Sequence, residues 1–524
     1  MRTNPSTLGR RALLIAGAAG LVAGCSGGPG ATVAAPAAGS TPRLPSSPPS
    51  STGPVPWGDL RRHVRGLLRR PGDAGYNRVR RTENPRYDDN HPLAVLTVAS
   101  ASDVAIAVTW ARDHGVPVAV RSGGHSYPGW SAGGAPGTGM PSALVLDCRD
   151  LDRVAVHPSG TASIGAGAAL ARVYDVLGNR GRALAGGSCA TVGISGLALG
   201  GGVGVLTRAM GLTCDAMRSL EVVTADGRLR VVDPDRHPDL FWALRGGGGG
   251  HLGVVTSLRF ATTAAPTLTT FYLGWPFSAA ARVIEAWQDW APDADPRLWS
   301  TLKALGGGAH PGGPTLLLSG TWTGPTGTLD RQLAGLLAHA PAPSVRTTHV
   351  RGYHEAMMTY AGCATIPASR CHTGPGGSLT REAFAATSHV GYEALPSAGI
   401  AELLGEVERA QSSGLHEAGI SMDALGGHVR DLSPTETAFV HRRALMTVQY
   451  TATYSGQRGH DASAYVRRFR STLMPYWGDH AYVNYADRAV RHHRTAYFGA
   501  NAARLAAVKR AYDPDNFFDQ PQGY

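Results

Sequence analysis

The chain has 524 residues, 43% of them hydrophobic and 17% charged, with 69 glycines and 35 prolines. Those are the proportions of a loop-rich globular protein, and the length exceeds what one hydrophobic core supports, so two lobes are expected. The net charge of +11 comes from scattered arginines with no basic stripe interleaved with aromatics, which argues against a nucleic-acid partner.

In chain order, residues 1–25 read as a targeting segment. Arg10-Arg11 precede the apolar run Ala12–Leu21, too short for a stable membrane span, and resemble a twin-arginine export signal. Val22-Ala23-Gly24-Cys25 resembles a lipobox, which implies an exported or cell-surface protein with a lipid on Cys25 as its membrane contact; the alternative is an ordinary cleaved signal. Residues 26–56 are Gly, Ala, Ser, Pro and Thr with almost no charge, a spacer unable to bury enough surface to fold. Ser102–His114 reads as a helix with Ser102 as N-cap, and Val116–Val120 as a buried strand emptying into Arg121-Ser122-Gly123-Gly124-His125-Ser126. A second glycine-rich stretch, Gly187-Ser188-Cys189-Ala190-Thr191-Val192-Gly193-Ile194-Ser195-Gly196, runs on to Gly200, Gly201, Gly202 and Gly204. Both backbones suit close approach to a flat or anionic group.

Asp226-Gly227 marks a hairpin, and Trp242–Arg245 leads through five glycines to Val254-Val255. Beyond Ala265 longer strands such as Thr315–Trp322 appear, with amphipathic helices such as Ile400–Arg409. Near the end stand Ala481-Tyr482-Val483-Asn484-Tyr485-Ala486-Asp487 and a closing segment through Tyr497-Phe498-Gly499 and Asn516-Phe517-Phe518. On an alternating strand, Tyr482 and Asn484 face one way and Tyr485 the other unless a bulge re-aims one. Cys148 and Cys214 sit in buried-looking segments; Cys363 and Cys371, eight apart, form either a disulfide or two free thiols. No spacing suggests metal ligands.

Taken together, these four ordered motifs resemble the berberine bridge enzyme-like flavoprotein oxidases of the vanillyl-alcohol oxidase superfamily. The resemblance implies an α+β, two-lobed PCMH-type FAD-binding fold, with the FAD-binding domain over residues 87–263. An antiparallel-sheet substrate domain covered by helices would span 264–473, and 474–524 would return to the FAD domain. It implies FAD held bicovalently, by His125 at the 8α-methyl and Cys189 at C6. Arg121, Ser122, Gly123, Gly124, Ser126, Gly187, Ser188, Val192, Gly193, Gly196, Gly200, Gly201, Gly202, Gly204, the Val255 backbone, Tyr482 and Asn484 would line the cofactor. Two covalent bonds fix the ring and raise its potential, so that it accepts hydride from poor donors such as alcohols and hemiacetals.

Tyr485 is the implied catalytic base, with Tyr482 beside it. A tyrosine with a pKa of about 10 needs a cation or preorganised donors to act as a base near neutrality, and Arg442 and His441 are the candidates. Val192 implies access of O2 and production of H2O2. The expected activity is oxidation of a small-molecule sugar or alcohol hydroxyl; Trp57, Trp130 and Trp287 are candidate sugar platforms if they are not core. The alternatives are a natural-product tailoring enzyme, a flavin dehydrogenase and a non-catalytic surface lipoprotein. Residues 386–389 lack the lysine many relatives carry, which bears on substrate identity.

Overall fold

The computed structural model describes residues 55–524, so the expected export signal, Cys25 and nearly all of the spacer lie outside the described residues. Short apolar runs build the first sheet: β1 (Leu67–Arg69), β2 (Ala94–Thr97), β3 (Val118–Arg121) and β4 (Leu144–Asp147), in the order β1-β2-β4-β3. β2, β4 and β3 are parallel and β1 is antiparallel to β2. Parallel strands are covered on both faces, and Ala94-Val95-Leu96 and Leu144-Val145-Leu146 are accordingly apolar without alternation and wholly buried. β1 extends this lobe upstream of residue 87, where the sequence places its start.

The crossover from β2 to β3 is the helix Ala101–Asp113. Its N-cap is Ser100, whose Oγ accepts from the Asp103 amide at 3.2 Å, and not Ser102 as expected. The cap shifts because the Asp103 carboxylate turns back to accept the amides of Arg65, Gly66 and Ala99, tying β1 and β2 to the helix start.

A second, antiparallel sheet contains β5 (Val154–Val156), β6 (Thr161–Gly165), β8 (Met217–Val223), β9 (Leu229–Val232) and β10 (Val254–Ala261), in the order β5-β6-β10-β8-β9. Gly227, at a φ of +76°, closes the β8–β9 hairpin signalled by Asp226-Gly227. β7 (Arg182–Ala183) pairs with β11 (Thr263–Ala264) beside it.

The other lobe is a seven-stranded antiparallel sheet of β12 (Thr267–Trp275), β13 (Leu298–Gly306), β14 (Thr315–Trp322), β15 (Val345–Gly352), β16 (Ala383–Gly391), β17 (Glu417–Ala424) and β18 (Met446–Tyr454). The order is β15-β12-β14-β13-β17-β18-β16. Alternation divides its faces. Leu302, Ala304, Ile420, Met422, Val448 and Tyr450 pack under the helices Ala280–Trp290, Ser397–Ala410 and Gly459–Trp477. Thr301, Lys303, Ser421, Asp423 and Gln449 take the opposite face, in registers Thr301↔Asp423, Lys303↔Ser421 and Ser421↔Gln449. That polar face looks toward the first lobe. Buried Arg208 stitches the lobes together, donating to the carbonyls of Leu298, Pro292, Leu425 and Ala294.

The chain then returns to the first lobe, where Lys509 donates to the carbonyls of His251 and Phe518 and the Tyr524 hydroxyl to that of Gly247. Because Leu302 is fully buried between sheet and helices, Leu302→Ala should lower stability by about 2–5 kcal/mol, read as a fall in the urea midpoint.

Candidate active site

The two glycine-rich loops cross. A side chain on Gly123 would place its Cβ 2.2 Å from the Gly193 amide nitrogen, and one on Gly193 would place it 2.0 Å from Ser122 Oγ. His125 is tied across the crossing by a 2.7 Å hydrogen bond between its Nε2 and Thr191 Oγ1. Burial lowers the His125 pKa to about 4, so the imidazole is neutral at ordinary pH. Two residues before Thr191, the Cys189 thiol is exposed. Burial of its surroundings raises its pKa, opposed by Lys303 and Ser188.

Arg121 does not face this opening. Its guanidinium is buried on Asp147, with Nη2 at 2.8 Å, and donates to the carbonyls of Val79, Arg80 and Arg81. Burial alone would raise the Asp147 carboxyl, but Arg121 and Arg149 outweigh it and hold the pKa below the ordinary value. Arg121 therefore anchors the end of β3, where the histidine loop begins. Ser122 also turns inward, its hydroxyl donating to the Ala166 carbonyl at 2.6 Å, and Ser126 Oγ accepts from the Trp130 amide. The Gly187 carbonyl accepts from the Tyr174 hydroxyl.

The remaining residues expected to line a cofactor are held as follows. Gly200 admits Asn484, whose Oδ1 would lie 2.0 Å from any Cβ there; Asn484 Nδ2 donates to the Leu197 carbonyl and the Tyr482 hydroxyl. That hydroxyl also accepts the Gly202 amide at 2.8 Å. Gly204 lies against the Gly186 carbonyl, and Gly201 faces the Tyr482 and Phe439 rings. Val192 packs at the edge of the first lobe's core, and Val255 sits at a bulge of β10 against β8.

The residues present fit a flavin. The amides of Gly123, Gly124 and His125 find no acceptor among the described residues, a Cβ on Gly196 would meet open space, and the buried Thr256 hydroxyl has no partner. Backbone donors without a protein acceptor, open space beside Gly196, and an imidazole and a thiol on neighbouring loops suit such a cofactor.

Over this cradle lies a cluster from both lobes. Tyr482 leaves an extended conformation into the short turn Val483–Tyr485, so the motif is not a strand, and the turn swings Tyr485 to within 5.0 Å of the Tyr482 ring, edge to face. This settles the alternation conflict read from the sequence. Tyr485 stacks on Tyr127 at 5.3 Å with an interplanar angle of 9°. Gln449 donates to the Tyr127 hydroxyl, and Ser388 Oγ to the Tyr485 carbonyl.

The Tyr485 pKa is raised well above its ordinary value, chiefly by burial and further by Tyr127, Asp423, Tyr482 and Cys189. The expected helpers do not reach it. Arg442 is held by both Asp215 oxygens at 2.7 Å, and His441 bonds the Tyr392 hydroxyl. The acidic neighbour is instead Asp423, whose carboxyl burial raises above the ordinary range against Thr301 and Lys303.

Tyr127, Asp423, Lys303 and Gln449 were not singled out from the sequence. The signal was a charged or amide residue on alternate positions of otherwise apolar strands, as in Trp299–Leu305 and Ile420–Ala424. Lys303, from β13, contributes a cation to the same polar sheet face. Trp57, Trp130 and Trp287 are all buried, so none offers a ring face to a substrate. The two open cysteines form a disulfide, Cys363–Cys371, in a loop packed on Ala171 and Ala190 beside Cys189.

Residues 92–233 match the FAD binding domain family, and residues 481–523 match the berberine and berberine like family. The FAD-linked oxidoreductase YgaK of Bacillus subtilis is 31% identical over 85% of this chain and 94% of its own. A solved chitooligosaccharide oxidase superposes with a TM-score of 0.79 at 27% identity, covering 88% of this chain and 98% of that one. A glucooligosaccharide oxidase from Acremonium strictum, characterised with a 6-S-cysteinyl, 8α-N1-histidyl FAD, superposes at 0.76 and 26% identity over 87% and 96%.

Arg121→Met should cost about 3–5 kcal/mol in urea unfolding, because it strips Asp147 of its fully buried partner. The Asp147 contribution has a definite pH sign. It is complete above the unfolded carboxyl's pKa of about 3.9 and is lost as pH falls through the depressed folded value, so the variant should lose less stability on acidification than the parent.

Proposed function

The chain belongs to the berberine bridge enzyme-like FAD-linked oxidoreductases, and from that premise we propose that it oxidises the anomeric hydroxyl of a sugar or oligosaccharide. The reading includes FAD attached to His125 and Cys189, electrons passed to O2, and H2O2 released. The observation that carries it is the Tyr127–Tyr485 stack, with Asp423 on the polar sheet face and Cys189 both within electrostatic range of Tyr485. The oligosaccharide oxidases among the similar structures support the substrate class.

When bound, FAD supplies a hydride acceptor beside the substrate carbon. The chain's own residues handle the proton. The Tyr485 phenol is too weakly acidic to rest as phenolate, so it takes the substrate hydroxyl proton while passing its own toward Asp423. Asp423 suits that role because burial shifts its carboxyl upward, toward the proton affinity a base needs. Gln449 fixes the Tyr127 ring, whose flat apolar surface suits a pyranose, and Lys303 offers donors to sugar oxygens. The small Val192 side chain supports oxygen access.

Purified protein should release peroxide with mono- or oligosaccharides. Tyr485→Phe should lower kcat on the order of a hundredfold or more while leaving covalent flavin in place. The rate of the parent enzyme should fall as pH drops through the raised Asp423 carboxyl, and Asp423→Asn should lose that limb. Dye reduction by sugars without peroxide would make the protein a dehydrogenase, and silence across the sugars would point to natural-product chemistry.

A further inference from the structure

Beside the reaction cluster lies a cavity of about 100 Å³ to which sugar oxidation assigns no task. It is lined by Tyr127 from the loop after His125, by Ala386 of β16, and by Arg86, Arg467, Asp487 and Arg488. Tyr127 connects it to the chemistry, because the same residue stacks on Tyr485 at 5.3 Å.

The charges around this cavity do not cancel. Arg467 is paired with Asp487 at 2.8 Å, and that carboxylate also accepts the Ala489 amide at 3.0 Å. Arg86 donates to Ser463 Oγ at 2.6 Å and makes no ion pair among the described residues. Arg488 makes neither an ion pair nor a side-chain hydrogen bond among the described residues; its guanidinium lies where a Cβ on Gly139 would meet it at 3.1 Å. A guanidinium carries five N–H donors, so Arg86 and Arg488 keep most of their donor capacity.

The backbone adds a donor and an acceptor. β16 is the outer strand of the seven-stranded sheet, and its alternate residues Phe384, Ala386 and Ser388 turn their N–H and C=O groups away from β18. Those of Phe384 are met by the Asn84 side chain at 3.4 and 2.9 Å, and the Ser388 carbonyl by Arg470 at 2.9 Å. Ala386 stands between them, lines the cavity, and has no partner for either group on that side among the described residues. Guanidinium and amide donors suit an oxyanion, and a carbonyl beside them suits a hydroxyl. A sugar acid carries both.

We propose that this cavity binds the carboxylate of a sugar acid, held by Arg86 and Arg488, with a neighbouring hydroxyl donating to the Ala386 carbonyl. Its connection to turnover rests on the sugar-oxidase reading above. Two sources share this chemistry: a uronate unit of the oligosaccharide being oxidised, or the aldonate formed when water opens the lactone product.

Calorimetric titration with methyl glucuronoside, which has no anomeric hydroxyl to oxidise, reads the cavity without turnover. The parent should bind it, and Arg86→Gln and Arg488→Gln should each weaken binding by about tenfold at unchanged thermal midpoints. Peroxide release then assigns the source. For a uronate unit, the parent should favour cellobiouronic acid over cellobiose by about tenfold in kcat/KM, and both variants should bring that ratio toward one. For the product, added gluconate should raise the KM for cellobiose in the parent and not in the variants. Absent binding, binding equal in all three proteins, or inorganic sulfate held as tightly as the glucuronoside overturns the inference and leaves sugar oxidation standing. If no sugar yields peroxide, the oxidase reading fails, and the titration still decides the cavity.

Discussion

Two backbones crossing at Gly123 and Gly193, with no room for a Cβ on either, is the constraint around which the first lobe is organised. The crossing brings an imidazole and a thiol from segments more than sixty residues apart to one rim. It holds only if the strand feeding the histidine loop is immobile, and the buried Arg121–Asp147 pair supplies that. The guanidinium spends its donors on one carboxylate and three carbonyls, so the end of β3, the end of β4 and the segment Val79–Arg81 move as one body. A buried ion pair is a costly way to gain stability, since desolvation consumes much of the attraction. Here its value is in position.

The second lobe contributes through a division of faces. One side of the seven-stranded sheet is sealed under helices by aliphatic side chains, and the other presents hydroxyl, amide, ammonium and carboxylate groups in registered rows. The rows meet the first lobe at Tyr127 and Tyr485. The site is therefore assembled from two surfaces, neither complete alone: an imidazole and a thiol from the loops, and phenol, carboxylate and ammonium groups from the sheet and the C-terminal turn.

Much of this was legible in the residues, and the failures have a common cause. The helix before β3, the Asp226-Gly227 hairpin, β14 and the helix around Ile400–Arg409 follow from local pattern, and they stand where periodicity puts them. What local pattern misassigns is the destination of polar side chains. Arg121 and Ser122, just before His125 in sequence, point inward to Asp147 and Ala166 because buried carbonyls and a carboxylate need donors more than solvent does. Arg442 reads as a cation near the tyrosine motif, yet its partner Asp215 lies more than two hundred residues away in sequence. Asp423 and Lys303 become neighbours only through pairing of β13 with β17, a register that no single segment encodes. The turn at Val483–Tyr485 replaces an expected strand because Tyr482 and Asn484 are pulled toward the glycine backbone at 200–202.

The Cys363–Cys371 bridge closes only eight residues, so it removes about 2–3 kcal/mol of chain entropy, little for a protein of this size. Its packing on Ala171 and Ala190 gives it a different meaning. It is a splint against the loop that exposes Cys189, so the surroundings of that thiol depend on a covalent bond more than 170 residues further along the chain.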